Sequence, residues 1–318
     1  MSTRSSGAPQ LSVITPLFNC LPHTRVMLES LRMSLPRGLS HEIILVDDGS
    51  SDGTRAWVSG LGAPYRVILN ERNLGFGGAT NRGTAVARGE ILALLNNDLV
   101  LRGGWLGPML SALKSLGPRA GLIGNVQLDA SSLAVDHAGI RINLKGKPDH
   151  NRQAPSLAAT LFTPVRRVVA VTGACVVVSA EVWRRLGGFD EGYVNGCEDV
   201  DLCLRAREAG LINAVALRSR ILHHVSASPG RKRRDEDNTR RLVLRWRDTL
   251  AVLGSREWTW DHFGRVAQDP RDFPDPVEAW RMAFYMTGAR PTPPATSLSG
   301  MNEAIDGELA RWRKMFSD

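Results

Sequence analysis

Along the N-terminal part of the chain, apolar runs that break off in turn residues alternate with segments whose apolar positions recur every three to four residues. LSVITPLFN, EIILVDDGS, YRVILNERN, EILALLNND and AGLIGNVQL are of the first kind. TRVMLESLRMSL, SDGTRAWVSGL, GGATNRGTAVARG and GGWLGPMLSALKSL are of the second. Strand and helix in this rhythm, with strands apolar on both faces, predict a doubly wound α/β fold with a mostly parallel sheet and helices on both faces. Ligands of such sheets sit beyond the carboxyl ends of the strands, where strand order reverses. VDDGS and NNDLV both fall at strand ends, so they are candidates for one cleft.

Between Asp129 and Val165 the pattern weakens, and loops with short antiparallel strands crossing the cleft are expected. A strand at VVAVTGACVVVS, a helix at AEVWRRLGG, a loop at FDEGYVNG, a helix at EDVDLCLRAREAG and a strand at AVALRSRILHHV follow. VSASPGRKRRDEDN is expected to be a mobile loop. Beyond about Pro270 the chain turns Pro-rich and irregular except for a helix at MNEAIDGELARWRKMF. The expected division is a flexible N-terminus over 1–10, a main domain over 11–250 and a C-terminal helical appendage over 251–318.

Composition narrows the class. The chain has 318 residues, of which 43% are apolar and 23% charged, as in an ordinary globular protein. No apolar run approaches the ~20 residues needed to span a bilayer, and the polar start MSTRSSGAPQ lacks the apolar centre of a secretory signal. A cytoplasmic protein is expected. The formal charge of +8 fits a phosphorylated ligand as well as it fits a polyanion. The basic run GRKRR has no interleaved aromatics, and no helix-turn-helix or finger spacing occurs, which argues against nucleic acid. Cys20, Cys175, Cys197 and Cys203 have no zinc-site spacing and are expected to be buried thiols.

Several positions combine residue types that carry chemistry. Asp47 and Asp48 form either a plain turn with a helix cap at Ser51 or Asp52, or a carboxylate pair for a base N–H or ribose hydroxyl. NERNLGFGGATNRG is either a tight structural turn, or a loop whose Gly75, Gly77 and Gly78 let the backbone approach a phosphate at a helix N-terminus. In LLNNDLV, Asp98 suits a hard divalent cation and Asn96 and Asn97 offer amide groups; the alternative is an Asx-turn. Asp199, Leu202, Cys203 and Ala206 share one helical face, so Asp199 starts its helix on the inward side. Asp201 and Arg205 read as a surface i,i+4 ion pair, and Glu198 as a charge favouring the helix start. His223 and His224 are structural or metal-binding, and Arg231 to Arg234 form a solvated loop or a lid over a diphosphate.

ITPLFN, VDDGSSDGT, NLGFGGATNRG, LLNND, TGACVVVSAEVWRRLGGFDE, CEDVDLCLR and HHVSAS, in this order between Leu11 and Trp246, resemble the inverting family-2 glycosyltransferases with the GT-A fold. Bacterial enzymes of surface-polysaccharide synthesis, rhamnosyltransferases among them, are the most similar subgroup. The resemblance implies a nucleotide-sugar-binding half over 11–128 and an acceptor side over 129–250. Pro16, Phe18, Asn19, Asp47 and Asp48 would surround the nucleoside of a UDP- or dTDP-linked sugar. Arg72, Asn73, Gly75 and Asn81 would flank its base, diphosphate or sugar, with Asn96, Asn97 and Arg231 also on the donor side. Asp98 would be the remaining acid of the DxD motif, Asn96 standing where its first aspartate would be, and His223 would complete a Mg2+ or Mn2+ site. Asp199 would be the catalytic base, and Gly173 and Glu198 would meet a glycan or lipid-linked acceptor, with peripheral membrane contact.

Two other classes use similar parts. A nucleotidyltransferase would place a Gly-rich loop with an activating Arg or Lys after its first strand, and TPLFNCLPHTR has none. A noncatalytic nucleotide-sugar-binding protein needs no base, so an inward Asp199 counts against it.

Overall fold

A computed structural model of the protein describes residues 9–224, 231–266 and 275–316. Strands β1 (Leu11–Leu17), β2 (His41–Asp47), β3 (Tyr65–Leu69) and β4 (Ile91–Leu95) are linked by helices α1 (Leu21–Ser34), α2 (Thr54–Ser59) and α3 (Gly75–Ala85). β1 pairs in parallel with both β2 and β4, and β2 with β3. The order β3-β2-β1-β4 reverses direction between β1 and β4, so their carboxyl ends flank the crevice where ligands of such sheets bind.

β5 (Leu99–Val100), α4 (Leu106–Leu116) and β6 (Ala120–Asp129) follow. Next come β7 (Val135–His137), β8 (Ile140–Ile142), β9 (Pro148–His150), α5 (Leu157–Phe162) and β10 (Val165–Arg167). β11 (Cys175–Ser179), α6 (Ala180–Leu186), α7 (Glu198–Glu208) and β12 (Ile212–His223) complete a mixed, mostly parallel sheet ordered β10-β12-β6-β11-β4-β1-β2-β3. Only the end of VVAVTGACVVVS is strand, because the turn at Gly173 and Ala174 interrupts it.

Alternation along the strands explains the two covered faces. Val13, Leu17, Ile43 and Leu45 pack with Met27 and Leu31 of α1 and with Met109 of α4. Ile14 and Val46 face α3 so closely that a β-carbon on Gly83 would lie 2.5 Å from Ile14 Cγ2 and 3.0 Å from Val46 Cγ2. The doubly wound arrangement expected from the apolar pattern is therefore the one formed.

The C-terminal helices are α8 (Arg231–Val266), α9 (Pro276–Thr287) and α10 (Ala295–Met315). α8 starts at Arg231 and bends at Trp246, so from Arg231 onward the expected loop VSASPGRKRRDEDN is helix; residues 225–230 lie outside the described residues. Its buried Leu242, Val243, Trp246 and Leu250 recur at helical spacing, and that apolar face outweighs the polar composition of its first turns. α9 lies in the stretch read as irregular. Its start signal is DPVEAW: Asp275 Oδ1 accepts from the N–H groups of Val277 (2.9 Å) and Glu278 (3.2 Å), with Pro276 leading the first turn.

The chain divides into two compact units, Met1–Ile140 with His150–Arg231, and Arg141–Asp149 with Lys232–Asp318. Inside the second, Lys147 Nζ meets Glu308 Oε2 at 2.7 Å and lies 4.7 Å from the Trp312 ring centre. Among the described residues no helix is long and apolar enough to cross a membrane.

Candidate active site at the strand ends

At the end of β1, Pro16 is buried opposite Val46, Phe18 is exposed, and Asn19 and Cys20 both take left-handed backbone angles, φ 56° and 60°. Such angles are costly for non-glycine residues and persist where surrounding bonds impose them. Here the Asn19 N–H donates to Ser50 Oγ (2.9 Å), Asn19 Oδ1 accepts from the Ser51 N–H (2.8 Å), and Asn19 O accepts from Asn97 Nδ2 (3.2 Å). Asn19 thus ties the ends of β1, β2 and β4 together.

The two aspartates at the end of β2 are buried. Asp47 Oδ2 pairs with Arg55 at 3.0 Å, while Asp47 Oδ1 is buried with no hydrogen-bond partner among the described residues. Asp48 accepts from Asn70 Nδ2 (2.7 Å) and from the N–H groups of Leu74 and Gly75 (2.9 Å each). The Phe76 N–H donates to Asn195 Oδ1 at 2.8 Å. The first N–H groups of α3 are therefore engaged inside the protein instead of offered to an anion. Asp52, a cap candidate, bridges two helix starts: Oδ1 accepts from the Thr54 N–H and Oδ2 from the Leu21 N–H, 3.0 Å each.

Arg72 and Asn73 are exposed on the loop that packs against Gly49. A β-carbon there would lie 3.1 Å from the Arg72 carbonyl carbon, and φ +77° is itself a glycine angle. Asn81 binds the 189–191 loop, donating to Phe189 O and Glu191 Oε1 (2.9 Å each) and accepting from the Phe189 N–H (3.0 Å).

At the end of β4, the Asn96 N–H donates to Ala174 O (2.9 Å), and Asn96 Oδ1 is buried without a hydrogen-bond partner among the described residues. β5 and β12 pair Leu99 with His223, which brings His223 Nε2 to 3.3 Å from Asp98 Oδ1. The His224 N–H donates to Asp98 O at 2.9 Å, and the His224 ring lies 4.8 Å from that of His23, a residue no sequence signal singled out.

α7 begins after Cys197, again left-handed at φ 69°. Asp199 Oδ2 accepts from the Gly173 N–H (2.7 Å) and Oδ1 from the Val200 N–H (2.8 Å), at a helix end whose dipole favours the carboxylate. Gly173 has no room for a side chain, since a β-carbon would sit 2.9 Å from Phe76 Cε1 and 3.4 Å from Asp199 Cβ. Glu198 is buried, with Oε2 accepting from the Gly196 N–H at 2.6 Å. Asp201 and Arg205 are not a surface pair. Asp201 is fully buried 2.8 Å from Arg205 Nε, and Arg205 donates onward to Leu186 O and to Gly188 O (2.8 Å).

His137 was also missed by sequence reasoning. Burial holds its pKa well below the usual histidine value, and the nearby His150, His223, Arg166 and Arg152 add to the effect. Its Nε2 accepts from the Gly139 N–H (3.1 Å) and from the Thr172 N–H (3.4 Å), beneath the turn that holds Asp199. Cys175 and Cys203 are buried and their thiols pushed up by burial, but Cys20 is exposed and Cys197 half-buried, both at helix entries. The Arg231 side chain lies outside the described residues.

Among the described residues no three metal-binding side chains converge. Asp98 and His223 form a pair instead, and the Asn96 oxygen that lacks a hydrogen-bond partner among the described residues belongs to the same turn, two residues earlier. A carboxylate and an imidazole suit a divalent cation whose remaining ligands are phosphate and water oxygens.

The sheet order, the switch-point crevice and the helical extension define a GT-A type α/β fold. Residues 12–156 match the family described as Glycosyl transferase family 2, and this part of the chain is a domain of that family. The chain is similar to the uncharacterized protein y4gI of Sinorhizobium fredii (32% identity, 83% of this chain, 29% of the relative). It is also similar to the O-antigen biosynthesis protein RfbC of Myxococcus xanthus (31% identity, 70% and 18%). It thus spans less than a third of these relatives' length. It covers 86% of the N-acetylglucosaminyl-diphospho-decaprenol L-rhamnosyltransferase of Mycobacterium tuberculosis, at 28% identity over 79% of this chain. Among solved structures, GalNAc-T7 with UDP, GalNAc and Mn2+ aligns with TM-score 0.61 and 16% identity, over 90% of this chain and 59% of that one.

Proposed function

We propose that the protein is an inverting glycosyltransferase that moves a sugar from a UDP- or dTDP-linked donor to a hydroxyl of a glycan or lipid-linked acceptor in bacterial surface-glycan synthesis. The observation that carries this reading is one two-residue turn with two functions. The Gly173 N–H grips Asp199, and the adjacent Ala174 O grips the Asn96 N–H at the strand end that carries Asp98. A prospective base and a prospective diphosphate site are thereby held on a common rigid support.

Each Asp199 oxygen accepts one backbone N–H and keeps lone-pair capacity for a substrate hydroxyl. Asp199 takes the proton as the acceptor oxygen bonds to the anomeric carbon and the bond from that carbon to the diphosphate breaks on the opposite side. A divalent cation held by Asp98 and His223 would offset the charge growing on the diphosphate. Asp47, whose Oδ1 has no hydrogen-bond partner among the described residues, and the exposed Phe18 belong to the group assigned to the nucleoside, and the exposed Arg72 to the group flanking the base, diphosphate or sugar. The diphospho-decaprenol in the rhamnosyltransferase relative's name supports a lipid-linked acceptor.

The test begins with thermal shifts across a panel of nucleotide sugars with and without manganese; a donor at 100 times its dissociation constant stabilises by about 2.7 kcal/mol. With the donor so found, Asp199→Asn should cut turnover by on the order of 10²–10⁴ while calorimetry shows donor affinity unchanged. Near-normal turnover by that variant would remove Asp199 from the mechanism.

A further inference from the structure

On the first compact unit, the short helix α5 turns an entirely apolar face outward. Leu157 is 75% exposed, Leu161 50% and Phe162 81%, and Ala158 beside them is exposed too. A folded chain gains nothing from holding two leucines and a phenylalanine in water on one side of a helix, and such patches mark a surface that meets something else. The helix is well anchored. Ser156 Oγ accepts from the Ala159 N–H (3.1 Å), and Arg218 of β12 donates from Nε to Thr160 O (2.9 Å) and from Nη2 to Leu161 O (2.7 Å).

The chain on both sides of the helix carries basic side chains and no acidic ones. From His150 to Ala180 the chain contains no Asp or Glu. Arg167 is exposed on β10, at the edge of the sheet, and Arg220 is exposed on the same side of β12 as Arg218. Apolar side chains projecting from a cationic rim suit the boundary between anionic headgroups and acyl chains. There apolar burial and attraction to negative lipid act together. A second protein surface would have to supply both an apolar recess and an acidic ring. The net charge of +8 favours the lipid surface before contact is made.

We infer that Leu157, Leu161 and Phe162, rimmed by Arg167, Arg218 and Arg220, dock the protein on the surface of an anionic phospholipid bilayer. The chain runs from this helix through β10 to Gly173, so the docked face belongs to the stretch assigned to the acceptor. The inference rests on the catalytic reading only in taking that acceptor to be held in a membrane.

The test uses the whole protein without donor or acceptor, sedimented with vesicles of phosphatidylcholine alone or with about one third phosphatidylglycerol. Binding is expected to the phosphatidylglycerol vesicles and to weaken with salt. The double change Leu161→Ser and Phe162→Ser should lower the partition coefficient by at least about tenfold, and Arg220→Glu by about fivefold or more. Phe162→Trp should retain binding and show indole emission shifted to the blue on vesicles, which separates docking from misfolding. Three outcomes overturn the inference: no sedimentation of the unaltered protein with anionic vesicles, equal binding by the double variant, or a dimer that the double variant converts to monomer. The vesicle assay contains no donor or acceptor, so its failure removes docking and leaves the catalytic reading standing, while failure of the separate transfer assay removes the catalytic reading and leaves docking standing.

Discussion

At the residue scale, the lone charge in LLNNDLVL is matched by an imidazole. His223 Nε2 lies 3.3 Å from Asp98 Oδ1, and the Asn96 side chain is held close by through its own backbone bond to Ala174. Asp98 was legible as an acid at a strand end. Its distance from His223 was not, because it depends on β5 pairing with β12 across a long stretch of chain. Asp98→Ala should raise the manganese concentration needed for half-maximal transfer and weaken donor binding by about tenfold or more, since removing one charged partner costs about 1.5–3 kcal/mol. Titration of donor with and without manganese measures both effects. Unchanged manganese dependence would remove Asp98 from the metal site.

At the scale of elements, α7 carries opposite lessons on its two sides. Its inward face was readable from the spacing of Asp199, Leu202, Cys203 and Ala206. Its Asp201–Arg205 pair was readable as a pair but not as a buried one. Arg205 is enclosed by its bonds to Leu186 O and Gly188 O, at the turn that ends α6, and no local pattern reports that closure. Removing one partner of a buried pair leaves a desolvated charge, so Asp201→Ala should cost about 3 kcal/mol in urea unfolding. A loss below about 1 kcal/mol would mean the pair behaves like a solvated one. α9 shows the reverse failure. Its Asp275–Pro276 start signal was present, but the prolines around it made the segment read as irregular.

At the scale of the whole molecule, the helical unit depends on Glu308. Burial by itself would raise this carboxyl, but hydrogen bonds and positive charge from Lys147 and Arg311 outweigh burial and hold it at about 2. The unfolded carboxyl titrates near 4.5, so as pH falls the unfolded chain binds the proton first. The stabilisation is complete above about pH 4.5 and is lost as pH falls towards 2. Glu308→Gln should lower stability at neutral pH by about 2 kcal/mol and flatten the acid dependence of the helical unit's melting, read by calorimetry.

The apolar rhythm by itself determined the doubly wound sheet, because strands covered on both faces and helices covered on one leave distinct periods in the chain. Residue types at strand ends likewise determined which acids were candidates. Only the tertiary structure decided how they are used. It set Asp48 to bracing the glycine loop, held Asp199 with the Gly173 N–H, placed His137 under the same turn and left Phe162 in solvent. Such contacts join residues far apart in the chain, and their energies arise only when the backbone has closed around them.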